Sequence, residues 1–185
     1  MIPENAKKVF SGVLFDVYQW PQEMFDGTTE TFEMLARQDT AEVLAIKEGK
    51  ILLQKQEQPR KPLFYCLPGG RIEKGEESLD GAKRELLEET GFVSPEWILY
   101  RQTRPLSKME WQIFVYVARN VTYQQVPHLD AGEWIEIEWV TLDELIDLVD
   151  GGKLAWIEQD LRLELVRAKY HAPAKEGLKR LLGLL

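Results

Sequence analysis

Over its first third the chain alternates apolar and polar residues rather than clustering them. Residues 9–22 (VFSGVLFDVYQWPQ) mix β-branched and aromatic side chains at period two, which reads as strand. Residues 24–35 (MFDGTTETFEML) carry Asp26-Gly27 between two short runs, which predicts a hairpin turn. A stronger hairpin follows in AEVLAIKEGKILLQKQ, with Val43 to Ile46, a turn at Glu48-Gly49, then Ile51 to Leu53. FYCLPGG is a short strand ended by Pro68 and two glycines, and WILYRQT, WQIFVYVARNV and WIEIEWV supply further strands. Residues 122–133 (TYQQVPHLDAGE) read as the loop before the last of these.

Helical spacing takes over elsewhere. Ser78 to Thr90 predicts a helix with Ser78 as N-cap and Gly91 at the stop position. TLDELIDLVDGG predicts a second, capped by Thr141 and stopped at Gly151-Gly152. Ile157 to Lys169 predicts a third, and AKEGLKRLLGLL a short amphipathic tail. The pattern implies an α/β fold, in detail an α+β sandwich with a mixed sheet flanked by helices. Residues 1–39 are expected to form an N-terminal antiparallel β extension, ahead of a main domain over residues 40–185. The apolar residues between Val9 and Leu35 imply that a partner covers this extension, which points to a homodimer.

The first predicted helix carries the densest chemistry. On a helical wheel Leu79, Ala82, Leu86 and Thr90 share one stripe, which should face the sheet. Glu85 and Glu89 stack one turn apart on the flank away from the core. Glu88 lies beside them, and Arg84 stands four residues before Glu88, where the two can pair. Like charges at this spacing cost about 0.2–0.5 kcal/mol per pair. A divalent cation reverses that sign, and clustered carboxylates suit Mg²⁺ or Mn²⁺. No cysteine or histidine accompanies them, which argues against zinc. Taken alone, the three glutamates fit a solvated acidic surface at least as well.

Composition narrows the setting. The 185 residues are 44% hydrophobic and 29% charged, in the range of a soluble globular chain. The formal net charge of −8 leaves no basic field for a nucleic-acid duplex. A phosphorylated substrate would need metal ions or local basic groups. The single cysteine, Cys66, sits in an apolar run and reads as a small buried residue. MIPENAKKVF is not a secretory signal, and no stretch approaches the roughly 20 apolar residues that span a bilayer. A cytoplasmic, non-membrane protein is therefore expected. Trp97, Trp134 and Trp139 lie in strands and are expected in the core, whereas Trp20 and Trp111 are candidates to line a nucleotide pocket. Arg60 and Arg71, in loops near the acidic helix, are candidates to hold phosphate. His128 and His171 have no partner at ligand spacing and read as surface residues.

The spacing changes the weight of the acidic helix. Five residues separate Gly70 from Glu76, and seven more lead to Arg84-Glu85. Leu86, Glu88-Glu89, Gly91 and Phe92 then follow. Over residues 70–92 this resembles the Nudix box of the Nudix hydrolases at every defined position. The resemblance implies metal-dependent hydrolysis of a nucleoside diphosphate linked to another group X. It makes Glu85 and Glu89 metal ligands, with Mg²⁺ as cofactor and Mn²⁺ able to substitute. Glu88 becomes a further ligand or a catalytic group acting through water, and the Gly69 carbonyl another ligand. Arg84 would orient the glutamates by salt bridge.

Segments beyond the box are similar to the ADP-ribose pyrophosphatase branch. HLDAGEWIEIEWVTLDELIDLVDGGKLAW has that branch's acidic loop, strand and helix, and Glu133 best matches its catalytic base or extra metal ligand. The region before residue 40 resembles the segment those enzymes exchange between subunits of a dimer. Two departures are local. Leu67-Pro68-Gly69-Gly70 stands where the branch commonly has Leu-Pro-Ala-Gly, and matches nucleoside-triphosphate members. Gln56-Glu57-Gln58-Pro59 lacks the arginine of the branch's Gln-Tyr-Arg, leaving Arg60 nearby. The expected substrate is ADP-ribose or a related nucleoside-diphosphate sugar, cleaved to a nucleoside monophosphate and a sugar phosphate. The alternatives are a nucleoside triphosphate or dinucleotide pyrophosphohydrolase, a non-catalytic nucleotide sensor, and an isopentenyl-diphosphate-type isomerase using Cys66.

Overall fold

The computed structural model describes residues 1–58, 61–129 and 134–184. Three N-terminal strands, β1 (Lys7–Ser11), β2 (Asp16–Glu23) and β3 (Thr29–Ala36), form an antiparallel meander. Next come β4 (Thr40–Lys47), β5 (Lys50–Gln58), β6 (Lys61–Cys66), β7 (Gly69–Arg71) and helix α1 (Ser78–Thr90). The strands β8 (Phe92–Val93), β9 (Glu96–Thr103), β10 (Met109–Glu110), β11 (Ile113–Arg119), β12 (Thr122–Tyr123) and β13 (Trp134–Val140) follow. Helices α2 (Leu142–Asp150), α3 (Gln159–Tyr170) and α4 (Ala172–Leu182) close the chain.

The β4–β5 turn forms where the sequence places it, with Glu48 at φ 49° and Gly49 at φ 74°. Two consecutive positive φ values give the turn the twist that a tight hairpin requires. The main sheet runs β13-β5-β4-β11-β9, with β6 on β5 and β7 on β4. It is mixed, because β4 and β11 are parallel while the neighbouring pairs are antiparallel. The smaller sheet runs β1-β2-β3-β10, so a strand from far along the chain joins the N-terminal meander, parallel to β3.

β4 is buried on both faces, and its period-two alternation divides the core. Leu44 and Ile46 pack with Leu145 and Val149 of α2, Leu161 and Leu165 of α3 and Leu178 of α4. Val43 and Ala45 pack on the other face with Ala82 and Leu86 of α1. Full burial of each Leu, Ile or Val is worth about 1.5–3 kcal/mol, so this sandwich fixes β4 firmly. β4 also forks. Its end at Ile46 pairs with β5, while its start, Thr40 to Glu42, pairs with β7.

Four local expectations are revised. The N-cap of α1 is Glu77 rather than Ser78, without a side-chain cap. The Ser78 hydroxyl instead lies 2.7 Å from the Tyr116 hydroxyl, tying the helix start to β11. α3 begins at Gln159, because Glu158 caps it by accepting from Asp160 and Leu161 N–H. Trp134 is 49% exposed, since it shares the exposed face of β13 with Glu136 and Glu138. Trp20 packs on Phe32 in the small sheet, with ring centroids 6.1 Å apart, and does not line the pocket described below. Thr141 caps α2 through a complete capping box with Glu144, as expected. Among the described residues no helix is long and apolar enough to cross a membrane.

Candidate active site

Arg84 makes five hydrogen bonds, three that fasten α1 to the loop before it and two that hold acids of α1 itself. Nε and Nη2 donate to Glu76 at 3.0 and 3.1 Å, and Nη2 also donates to the Arg71 carbonyl at 2.8 Å. Nη1 reaches Glu85 Oε1 and Glu88 Oε2, each at 3.0 Å. The guanidinium holds the Glu76 carboxyl below the usual carboxylate range. Its own proton affinity is raised, with Glu76 the chief cause. Burial pushes the Glu85 carboxyl up, and Arg84 opposes the shift.

Two glycines allow the helix and loop to meet this closely. A Cβ on Gly70 would lie 2.6 Å from the Glu85 carboxylate, so the carboxylate rests directly on that backbone. Gly69 has φ +148°, and a Cβ there would stand 2.1 Å from the Ala41 carbonyl oxygen. Its N–H donates to Glu89 Oε2 at 2.9 Å, and Gln54 Nε2 donates to the same oxygen at 2.7 Å. The Glu88 side chain is more exposed than that of Glu85, and the Glu88 carbonyl accepts from His128 N–H at 2.7 Å. The loop toward β13 is thereby tied to the end of α1.

A cavity of about 630 Å³ opens where β5 and β7 part on β4. Gly69, Gly70, Arg71, Glu89 and Trp111 all line it, which brings these sequence-predicted residues together. The Trp111 indole N–H donates to Thr40 at 3.2 Å. Glu133 and Arg60 lie outside the described residues. Cys66 is buried as expected, and its thiol lies 3.4 Å from Gln54 Oε1.

Four cavity or site residues were not picked out from sequence. Gln54 positions Glu89, and its signal was a polar residue ending the apolar run Ile51 to Leu53. Glu42 faces the cavity from β4, and burial, with the Glu158 carboxylate nearby, pushes its carboxyl up to about 8. The Glu158 N–H donates to it at 2.9 Å and pulls the other way. An acid inside AEVLAI was the visible signal. Trp156 lines the cavity at φ 43°, edge-on to Phe64 with centroids 4.6 Å apart. A positive φ on a bulky residue is strain of the kind found at ligand sites. Arg37, first of the polar residues Arg37 to Asp39, had no sequence signal.

The chemistry of this donor set fits a hard divalent cation. Glu85, Glu88, Glu89 and the Gly69 carbonyl offer oxygen only, and Gly70 leaves no side chain between Glu85 and the loop. Among the described residues no three acids are yet drawn to one point, because Arg84 holds Glu85 and Glu88 while Gln54 and Gly69 hold Glu89.

A mixed sheet between helices thus carries an acidic helix clamped to a glycine loop beside a cavity of about 630 Å³. The chain belongs to the NUDIX domain family, whose sequence profile matches residues 36–159. It is 33% identical to the ADP-ribose pyrophosphatase of Bacillus subtilis (strain 168) over 170 residues, covering 85% of this chain and 90% of that one. It is also 33% identical to the methanol dehydrogenase activator of Bacillus methanolicus over 152 residues, covering 78% and 80%. A crystal structure described as an ADP compounds hydrolase superposes with TM-score 0.73 at 16% identity, covering 98% of this chain and 95% of that one, which shows a shared fold.

Proposed function

We propose that this Nudix hydrolase cleaves the pyrophosphate bond of a nucleoside diphosphate linked to X, with ADP-ribose or a related nucleoside-diphosphate sugar as substrate and Mg²⁺ as cofactor. The observation that carries the reading is the Arg84 clamp, which sets Glu85 on Gly70 and leaves Glu89 on Gly69 at the cavity wall. The relative that matches 90% of its own length, an ADP-ribose pyrophosphatase, supports the substrate class. Glu85, Glu89, Glu88 and the Gly69 carbonyl are the residues that would hold the cation. A divalent cation there supplies the positive charge that neutralises a pyrophosphate. Arg84 keeps the carboxylates aimed, and a cavity of about 630 Å³ has the size of a nucleotide pocket. Trp111 and Trp156 give it aromatic walls.

One observation favours a second reading. The Leu67-Pro68-Gly69-Gly70 lead-in resembles that of triphosphate-cleaving members, and the backbone is built for it, because a Cβ at Gly69 would stand 2.1 Å from the Ala41 carbonyl oxygen. A substrate panel decides between them. Release of nucleoside monophosphate and sugar phosphate from ADP-ribose supports the proposal. Release of pyrophosphate from nucleoside triphosphates, with diphosphate sugars untouched, refutes it.

A further inference from the structure

The cavity also holds positive charge that nothing in the fold uses. Arg37 follows the end of β3, with its backbone N–H donating to the Glu110 carbonyl at 3.2 Å. Its guanidinium lies over the Trp111 indole, 4.5 Å from the ring centroid, and 5.9 Å from that of Phe15. Trp111 is itself anchored on Thr40. The Arg37 head is therefore set by stacking rather than by a counter-ion. Its Nε is buried and makes no hydrogen bond.

The contrast with the other arginines is informative. Arg84, Arg101, Arg104 and Arg119 each hold a carboxylate, while among the described residues Arg162, Arg167 and Arg180 hold none but do not line this cavity. Among the described residues neither Arg37 nor Arg71 holds one, although acids outnumber bases by 31 to 23 in the chain. Both line the same cavity. They are also close enough that the Arg71 charge adds to burial in lowering the proton affinity of Arg37. A buried donor left unmade costs roughly 1–3 kcal/mol, and two facing cations add repulsion. A dianionic, multi-oxygen ligand removes both costs, and a guanidinium fork is matched to phosphate oxygens.

We propose that Arg37, positioned by its stack on Trp111 and acting with Arg71, binds a phosphate of the substrate in the cavity that Gly69 and Glu89 line. This rests on the pyrophosphohydrolase reading, and it makes Arg37 a substrate-binding residue on the wall away from α1. Carboxylates that gather a cation and arginines that take an anion then share one cavity, as a pyrophosphate requires.

The test is calorimetric titration of inorganic pyrophosphate, with Mg²⁺ present, into wild type, Arg37→Gln and Arg37→Lys. Losing a charge-assisted contact should weaken binding roughly 10- to 100-fold in Arg37→Gln, with lysine recovering part of the loss and the melting temperature of the ligand-free variants no lower than that of wild type. With any diphosphate substrate that is turned over, KM should rise by a similar factor and kcat move less. Equal pyrophosphate affinity in wild type and Arg37→Gln, or no pyrophosphate binding by wild type, overturns the assignment. Arg37-dependent pyrophosphate binding by an enzyme that ignores diphosphate sugars would uphold this inference while removing the proposed substrate.

Discussion

Replacing Arg84 with glutamine removes the clamp and leaves its acids facing one another. The side chains of Glu76 and Glu85 are 17% and 15% exposed, so each would lose a largely desolvated counter-ion. Removing one partner of a buried ion pair costs about 3–5 kcal/mol. Arg84 is itself 25% exposed, which places the expected loss at roughly 2–4 kcal/mol. In a chain of this size that lowers the melting temperature by about 5–15 °C. The drop should be largest with a chelator present, because a divalent cation takes over part of the charge compensation. Arg84→Lys, with three donors in place of five, should recover only part. Calorimetric melts of the three proteins in EDTA and in Mg²⁺ check this. A glutamine variant melting within about 2 °C of wild type in EDTA would show that the clamp does not hold helix to loop.

Other expectations follow from single contacts. Glu42 holds its proton to about pH 8 in the folded chain but releases it near the ordinary 4.5 when unfolded. The folded state therefore binds the extra proton between those values, and stability falls as pH rises through that window. Glu42→Gln should gain about 2–4 kcal/mol on wild type between pH 5 and pH 8, measured by urea unfolding, and parallel pH profiles would contradict it. Gly70→Ala should displace the Glu85 carboxylate and cut kcat at least about 10-fold, whereas unchanged kcat would remove Glu85 from the site. Val9, Phe10 and Phe25 of the N-terminal segment are exposed, and we propose that a second copy covers them. Light scattering from a fully active monomer at micromolar concentration would refute that.

Much of this was legible because local chemistry and tertiary context agree. The Glu48-Gly49 turn, the Thr141 cap and the Gly91 stop are each dictated within a few residues. The acidic helix was readable because its fixed spacing carries both the stripe that faces the sheet and the acids that do not. What escaped depends on distant partners. Ser78 looks like a cap, but Tyr116 of β11 takes its hydroxyl. Trp134 looks like core, yet the alternation of β13 puts it with Glu136 and Glu138 on the exposed face. Arg37 meets Trp111 only because β10 joins β3, and no short-range pattern announces that pairing. Glu42 and Gln54 were visible as polar residues within apolar strands, but only the fork of β4 shows that they meet one cavity or its acids.

On the proposed function, the glutamates of α1 serve a divalent cation in pyrophosphate hydrolysis. That role is tested most directly by the rate of AMP release from ADP-ribose as Mg²⁺ is returned to chelated enzyme, in wild type, Glu85→Gln and Glu89→Gln. Wild type should show no turnover before metal and saturating activation as metal is added, and kcat should be lower by about 100-fold or more in both variants, each still folded. Wild-type turnover in excess EDTA, or near wild-type kcat in both variants, would contradict it.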